Sequence, residues 1–576
     1  MKIGKLLELY KPHKFNLYKN IVLNILATLS MLLQPHLIKL AIDKYIVTEN
    51  ISGLIKISII YLLNTGFSWI ISILQIRNMV SLGQRILNDL REKTFSHIQN
   101  LSMSFFDKTK QGTLISRLDN DILSLEWTFI WGLGIFISSI ITLSGAIYFM
   151  VRYNLKLCLY VVIIIPLIIV ATELFRRNAL NAYKQIRESI ARITANFAET
   201  ISGIKVIQSF VREDHNMITF NSLNLSHISN TLKAANIWSK YVPFLTIISV
   251  TGVIIVLTFG GNFVIKGELK IGELTAFILY LNMFFGPITM LGELYNQILS
   301  STTSLDRIFE ILSEKPEIEI KDTKTHFIIP QMKGEVIFEN VYFKYNNSDT
   351  NWILKNININ VKPGQTIAIV GKTGSGKTSI INLIPRFYEI QHGRILIDGY
   401  NIKDIDINFL RSKIGFVYQE NFLFTGTIMD NLKYGDSKIT DTQVKEASKL
   451  LGLHKFIKRL PDEYFTEVKE RGEGLSIGER QLICFTRALL INPKILILDE
   501  ATSSVDSYTE FIIHRALKKL IKDRTSFIVA QRLSTVRQAD IVIVIKDGEI
   551  VEQGTHISLL KHQGIYAKLY REFIKI

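Results

Sequence analysis

Gly371-Lys372-Thr373-Gly374-Ser375-Gly376-Lys377-Thr378 follows an apolar run, Thr366–Val370, and precedes a helix-forming stretch that begins at Thr378. Each part of that order has a physical reason. A buried strand delivers the chain to a tight loop. The glycines let successive backbone N–H groups point inward, and a helix N-terminus adds partial positive charge. The result is a cradle for phosphate oxygens. Lys377 reaches toward β- and γ-phosphates, and the Thr378 hydroxyl is placed to ligate Mg²⁺, with Ser379 beside it. A glycine-rich turn without chemistry is the alternative, and the flanking strand and helix argue against it.

The rest of the chain divides by composition. It has 576 residues, 48% of them hydrophobic, too long for one core. The first 300 or so residues carry apolar runs near the roughly 20 residues that cross a bilayer. Six spans are expected, at Ile21–Ile42, Ile55–Ile76, Phe129–Val151, Leu157–Phe175, Val242–Val264 and Leu274–Ile298. Pro35, Pro166 and Pro287 fall within them, where neighbouring helices can absorb a lost hydrogen bond. The loops at about 77–128 and 176–241 are long, basic and helix-like, so spans two to five are expected to continue as helices beyond the bilayer. Lys and Arg gathered there place these loops, the N-terminus and the P-loop domain in the cytoplasm of a bacterial-type inner membrane.

The net charge of +16 follows from that topology, and no nucleic-acid partner is expected. The N-terminal apolar stretch is longer than a signal core and reads as a retained first span. Cys158 and Cys484 match no metal spacing and are expected as packing residues in a disulfide-free protein. Gln34, His36, Lys39, Asn64, Glu173, Glu293 and Asn296 lie in or near spans. They either line a cavity or cap and snorkel at span ends; Lys39 and Asp43 read as the second kind.

Downstream lies the second half of a phosphate site. Ile495–Leu498 is a continuous apolar run ending in Asp499-Glu500. Asp499 is placed to hold Mg²⁺ and Glu500 to orient or deprotonate an attacking water. Between the halves, Leu475-Ser476-Ile477-Gly478-Glu479 opens a helix running through Leu490. Ser476 at its start is either a routine helix cap or a group that favours an anion, one that a facing copy could supply.

The order P-loop, Gln419, Leu475–Glu479, Asp499-Glu500 and Ala501–Asp506 resembles the ATP-binding cassette (ABC) transporter family. Six spans ahead of one cassette resemble its type IV exporter half-transporters, which include lipid flippases and multidrug exporters. The resemblance implies an all-α six-helix membrane domain followed by an α/β P-loop cassette. The expected bounds are 1–315 for the membrane domain, 316–333 for a linker and 334–576 for the cassette. It implies an ATPase using ATP and Mg²⁺, with membrane lipids, an amphipathic substrate and a second half-transporter as partners.

Residue by residue, the resemblance implies that Tyr345 stacks on adenine and that Gln419 contacts Mg²⁺ and links the site to the membrane helices. Ser476 and Gly478 close over ATP on the opposite cassette, and Asp506 signals across the dimer. Glu470 and Arg471 meet a coupling helix. Phe105-Phe106-Asp107 with Gly112–Asp121, and Glu199–Phe210, match the coupling loops.

Two departures stand out. The signature reads LSIGE rather than LSGGQ. Gln531 stands where the family has a switch histidine, in Val529-Ala530-Gln531-Arg532-Leu533-Ser534-Thr535. Gln531 can donate one hydrogen bond but cannot become cationic. Such a loss slows hydrolysis by about 10²–10³. Two arrangements stay open: an exporting ATPase half, or a weakly hydrolysing, mainly ATP-binding half of a heterodimer. A soluble DNA-repair or chromosome ATPase is a third class, and the six apolar runs argue against it.

Overall fold

A computed structural model describes residues 4, 6, 8–316, 327–346, 350–499, 507–530 and 536–575. The chain forms two compact units: residues 1–98 with 112–313, and residues 99–111 with 314–576.

The first unit is helical. Among the described residues five helices are long and apolar enough to cross a membrane: Lys11–Ile46, Ile51–Gln99, Gln111–Tyr153, Glu213–Ile265 and Ile271–Ser313. At 1.5 Å per residue the 49 residues of Ile51–Gln99 extend about 73 Å, well over twice the roughly 30 Å apolar core of a bilayer. Its apolar part exposes Ile55, Ile59, Leu62, Leu63 and Trp69, a surface that water does not tolerate but lipid does.

The expected fourth span is a broken rod. One helix ends at Val162 and the next starts at Ile164, running to Ser202. The Pro166 ring would clash with the carbonyl of Val162 four residues earlier, which accounts for the break. Pro35 and Pro287 lie inside unbroken helices, as does Pro243.

Polar side chains in this unit tie helices together. The Thr128 and Ser301 hydroxyls are 2.7 Å apart. Asn64 and Ser30 exchange hydrogen bonds, and His36 meets the Tyr153 hydroxyl at 2.8 Å. The Asp43 carboxylate accepts from the Gly272 N–H at 2.7 Å, and Lys39 lies 3.4 Å from Glu273. Lys39 and Asp43 therefore cap and pair at helix ends, as expected. Glu173 holds Arg176 and Arg177. Glu293 and Asn296 are exposed, and Glu293 has no ion-pair partner among the described residues.

The second unit is built on two main sheets. Strands β1 (Val336–Phe343), β2 (Leu354–Val361), β3 (Thr366–Val370), β4 (His392–Ile397), β5 (Tyr400–Asn401) and β6 (Ile414–Val417) come first. The short pair β7 (Gly426–Thr427) and β8 (Glu467–Val468) follows. Then come β9 (Ile495–Asp499), β10 (Thr525–Val529), β11 (Ile541–Lys546) and β12 (Glu549–Gly554). One sheet is antiparallel, ordered β2-β1-β4-β5; the other is ordered β12-β11-β3-β10-β9-β6 and is parallel except at β12. Every residue of β3, β9 and β10 is buried, which is why these strands read as continuous apolar runs. Phe338, Phe343, Ile357, Ile369, Ile497 and Phe527 share one core between the sheets.

Entry into β1 is pinned electrostatically. The Asp398 carboxylate accepts from the backbone N–H groups of Lys333, Gly334 and Glu335 at 2.7–3.0 Å. Asp398→Ala strands three donors and is expected to cost roughly 2 kcal/mol. Thermal unfolding of the cassette reads this as a lowered transition; an unchanged transition contradicts it.

Candidate functional site

Strand register assembles the site. Strand β10 lies between β3 and β9, so that Val529 pairs with Ile369 on one side and with Asp499 on the other. Open parallel sheets bind ligands beyond the carboxyl ends of their strands, and here the P-loop and Asp499 both leave the sheet at that end.

A Cβ would collide at two of the loop glycines. Gly376 has φ +103°, and a Cβ there would lie 2.7 Å from Leu354 Cδ2. A Cβ at Gly371 would lie 2.3 Å from the Ile545 carbonyl oxygen. Between them Lys372, Thr373 and Gly374 are exposed. Ser375 is buried, and its hydroxyl has no hydrogen-bond partner among the described residues. The helix Lys377–Leu383 begins one residue earlier than the sequence suggested.

Lys377 folds over the loop and donates to the carbonyls of Gly371 and Lys372 at 2.9 and 2.8 Å. Burial pulls its ammonium below the ordinary lysine value, with Asp499 opposing. The Thr378 hydroxyl donates to Asp499 Oδ2 at 3.3 Å. Burial pushes the Asp499 carboxyl up, opposed by that hydrogen bond and by Lys377. A hydroxyl and a carboxylate in contact are hard oxygen donors that suit Mg²⁺, which keeps most of its waters. The unpartnered Ser375 hydroxyl and the lysine parked on carbonyls suit a triphosphate. The residues present therefore fit both groups.

Gln419 lies just past β6 and is exposed. It lines one small cavity with Asp499, Asn421 and Gln481. The buried Asn421 Oδ1 and Gln481 Oε1 have no partner there among the described residues. The structure thus brings Gln419 and Asp499 together. Tyr345 is half-buried, and its hydroxyl lies 2.9 Å from that of Ser379 in the P-loop helix. Glu500, Asp506 and Gln531 lie outside the described residues.

Ser476 is the N-cap of the helix Ile477–Leu490. Its hydroxyl accepts from the Glu479 N–H at 3.3 Å, and the Glu479 carboxylate accepts from the Ser476 N–H at 2.7 Å. This is a reciprocal capping box. A serine followed three residues later by glutamate signals this box in the sequence, a pairing that the reading of the signature departure leaves out. Gly478 is a packing position: a Cβ there would meet Thr509 Cγ2 at 2.2 Å. Ile477 is exposed. Glu470 and Arg471 form a short turn, with Arg471 at φ +53°.

The ABC transporter transmembrane region model matches residues 17–288, and the ABC transporter model matches residues 354–503. The chain is 37% identical over 576 residues to the uncharacterized ABC transporter ATP-binding protein YknV of Bacillus subtilis, covering 99% of this chain and 94% of that protein.

The chain belongs to the ABC transporter family.

It is also 34% identical over 571 residues to an ATP-dependent lipid A-core flippase of Syntrophus aciditrophicus, covering 98% and 94% of the two chains. A Staphylococcus aureus chain, provisionally named a multidrug export ATP-binding/permease protein, is 37% identical over 577 residues and 99% covered on both sides. A membrane region and an ATPase cassette in one polypeptide make this ABC transporter chain a multi-pass half-transporter whose ATPase drives transport. Half-transporters of this kind work as dimers.

Gly376→Ala forces a side chain into a left-handed backbone and against Leu354. It is expected to weaken binding of a fluorescent ATP analogue by at least about fivefold, given about 1–3 kcal/mol of backbone strain. Unchanged affinity contradicts the assignment of the loop.

Proposed function

We propose that this chain is one half of an exporter that moves amphipathic or hydrophobic molecules (lipid, drug or peptide) out across the cytoplasmic membrane. The lipid flippase and the multidrug export protein among its relatives support that substrate class. The observation that carries the nucleotide chemistry is the Thr378–Asp499 hydrogen bond at the end of two parallel strands. Residues 1–315 act as the membrane domain, 316–333 as the linker and 334–576 as the cytoplasmic cassette. Glu293 and Asn296, exposed on the last span, and Gln34 are polar candidates to face a solute.

In this reading ATP lies between two cassettes. Gly371–Ser379 hold its phosphates and Tyr345 its base, while Ser476 and Gly478 of the facing half close over the γ-phosphate. Mg²⁺, held by Thr378, Asp499 and Gln419, supplies charge neutralisation to the phosphates when bound. Glu500 accepts a proton from water as that water attacks the γ-phosphorus. The bond to the β-phosphate oxygen breaks, and ADP leaves with the electron pair. Gln531 donates to the γ-phosphate. Closure favours the outward-facing membrane state and phosphate release returns it, a population shift set by differential ATP affinity.

Partner contact has a surface available. The tip Ile204–Ser209, with its flanks, exposes Ile201, Val206, Phe210 and Val211. An apolar tip of this kind is suited to docking on a facing cassette.

A second reading rests on Gln531. In a homodimer both sites carry glutamine and turnover is slow; in a heterodimer a histidine-bearing partner supplies most hydrolysis and this half mainly binds ATP. Gln531→His is expected to raise the turnover number of the purified chain by at least about tenfold, with little change in KM. Exporter-like turnover that the substitution leaves unchanged overturns the regulatory reading. A Glu500→Gln chain that hydrolyses ATP normally overturns the catalytic assignment.

A further inference from the structure

The stretch that enters β1 forms one wall of an open cleft in the cassette, of about 620 Å³. Small-molecule sites fall in that size range. Ile328, Met332 and Phe409 make part of its lining apolar, while Lys333, Lys413 and Lys494 make the rest cationic. No acidic residue lines it among the described residues. Nor has any of the three lysines an ion-pair partner among them. The Asp398 carboxylate, beside this stretch, is taken up by the N–H groups of Lys333, Gly334 and Glu335.

The sheet holds these lysines together. Lys413 directly precedes β6 and Lys494 directly precedes β9. The Lys413 carbonyl accepts from the N–H groups of Lys494 and Ile495 at 2.9 and 3.2 Å, and the Lys494 carbonyl accepts from the Thr525 N–H at 3.1 Å. A Cβ on Gly334 would lie 3.1 Å from that same Lys494 carbonyl, so the chain bearing Lys333 passes close by. A fourth cation backs the wall: Arg524 Nη2 donates to Asn492 Oδ1 at 3.2 Å, and Asn492 lines the cleft. The Arg524 Nε is buried without a hydrogen-bond partner among the described residues. Lys413 Nζ lies 5.8 Å from the centroid of the Phe409 ring, which puts charge and aromatic surface side by side.

Like charges gathered this way repel, and a bound anion relieves that repulsion. A cationic cleft also concentrates anions from solution. Lysine ammonium groups suit phosphate oxygens, and an aromatic wall suits an apolar body attached to the phosphate. We propose that this cleft binds an organic phosphate, a phosphomonoester on an aromatic or apolar body. It is separate from the ATP site: the five residues of β9 put about 16 Å, at about 3.3 Å per residue, between the cleft and the Asp499 end of the sheet. The proposal does not depend on what the chain transports.

The test uses the full-length chain in lipid nanodiscs, with Cys158 and Cys484 replaced by serine and a bimane probe on Gln331→Cys, a residue of the cleft wall. The titrants are phenyl phosphate and inorganic phosphate at constant ionic strength. A saturable fluorescence change is expected, with phenyl phosphate binding at least about fivefold more tightly than inorganic phosphate. The double variant Lys413→Gln with Lys494→Gln is expected to weaken phenyl phosphate by at least about tenfold. Arginine at both positions restores binding to within about threefold, which a merely misfolded glutamine variant does not predict. Phe409→Leu removes most of the advantage of phenyl phosphate and leaves inorganic phosphate unchanged. Glutamine at Lys455 and Lys561, exposed lysines outside the cleft, changes neither titration.

A response that does not saturate, that follows ionic strength alone, or that the Lys455 and Lys561 substitutions reduce as much as those in the cleft overturns the proposal. The same titration on Lys377→Ala separates the two sites. A cleft response that survives there supports the proposal whatever becomes of the ATP site, and one that vanishes with Lys377 overturns it.

Discussion

The meeting of the P-loop and Asp499 depends on one constraint, the parallel register that holds β10 between β3 and β9. Val529 pairs with Ile369 and with Asp499 at once. That pairing carries the P-loop and the acidic strand end to one place, where Thr378 reaches Asp499. The strands are buried along their whole length, so a slip in register would set apolar side chains against the wrong neighbours. The core thereby fixes the site without contributing a catalytic atom to it.

The strain in the site is of a familiar physical kind. Gly371 and Gly376 permit close backbone approaches that no side chain allows. Ser375 has a buried hydroxyl without a partner among the described residues, a cost that a phosphate oxygen would offset, while Lys377 is held on its own loop carbonyls. The loop is built to be completed by an anion rather than to be stable alone.

The cassette chemistry was legible in the sequence because it is local. A glycine spacing after an apolar strand, an acidic pair after another, and a serine at a helix start each encode their geometry within a few residues. The capping bond between Ser476 and Glu479 is equally local, yet comparing the signature with LSGGQ treats Glu479 only as a departure and passes over its place three residues after a serine. Gly478 was read as a phosphate contact, and its packing against Thr509 came only from tertiary structure. The break at Ile163 was encoded by Pro166, whose effect depends on whether neighbouring helices compensate. The contact between Asp107 and Tyr388 joins residues 281 positions apart, and no local pattern carries that information. Among the candidate residues, Glu500 and Gln531 were named from the sequence pattern alone.

The central claim is that the P-loop's grip on a triphosphate works a gate made of membrane helices. Its most direct test is a paired measurement on Lys377→Ala reconstituted in vesicles: ATP affinity by analogue competition, and ATP-dependent movement of a fluorescent phospholipid or a cationic dye. The account predicts that affinity and movement fall together, to near the level without ATP. Full affinity with undiminished movement would contradict it.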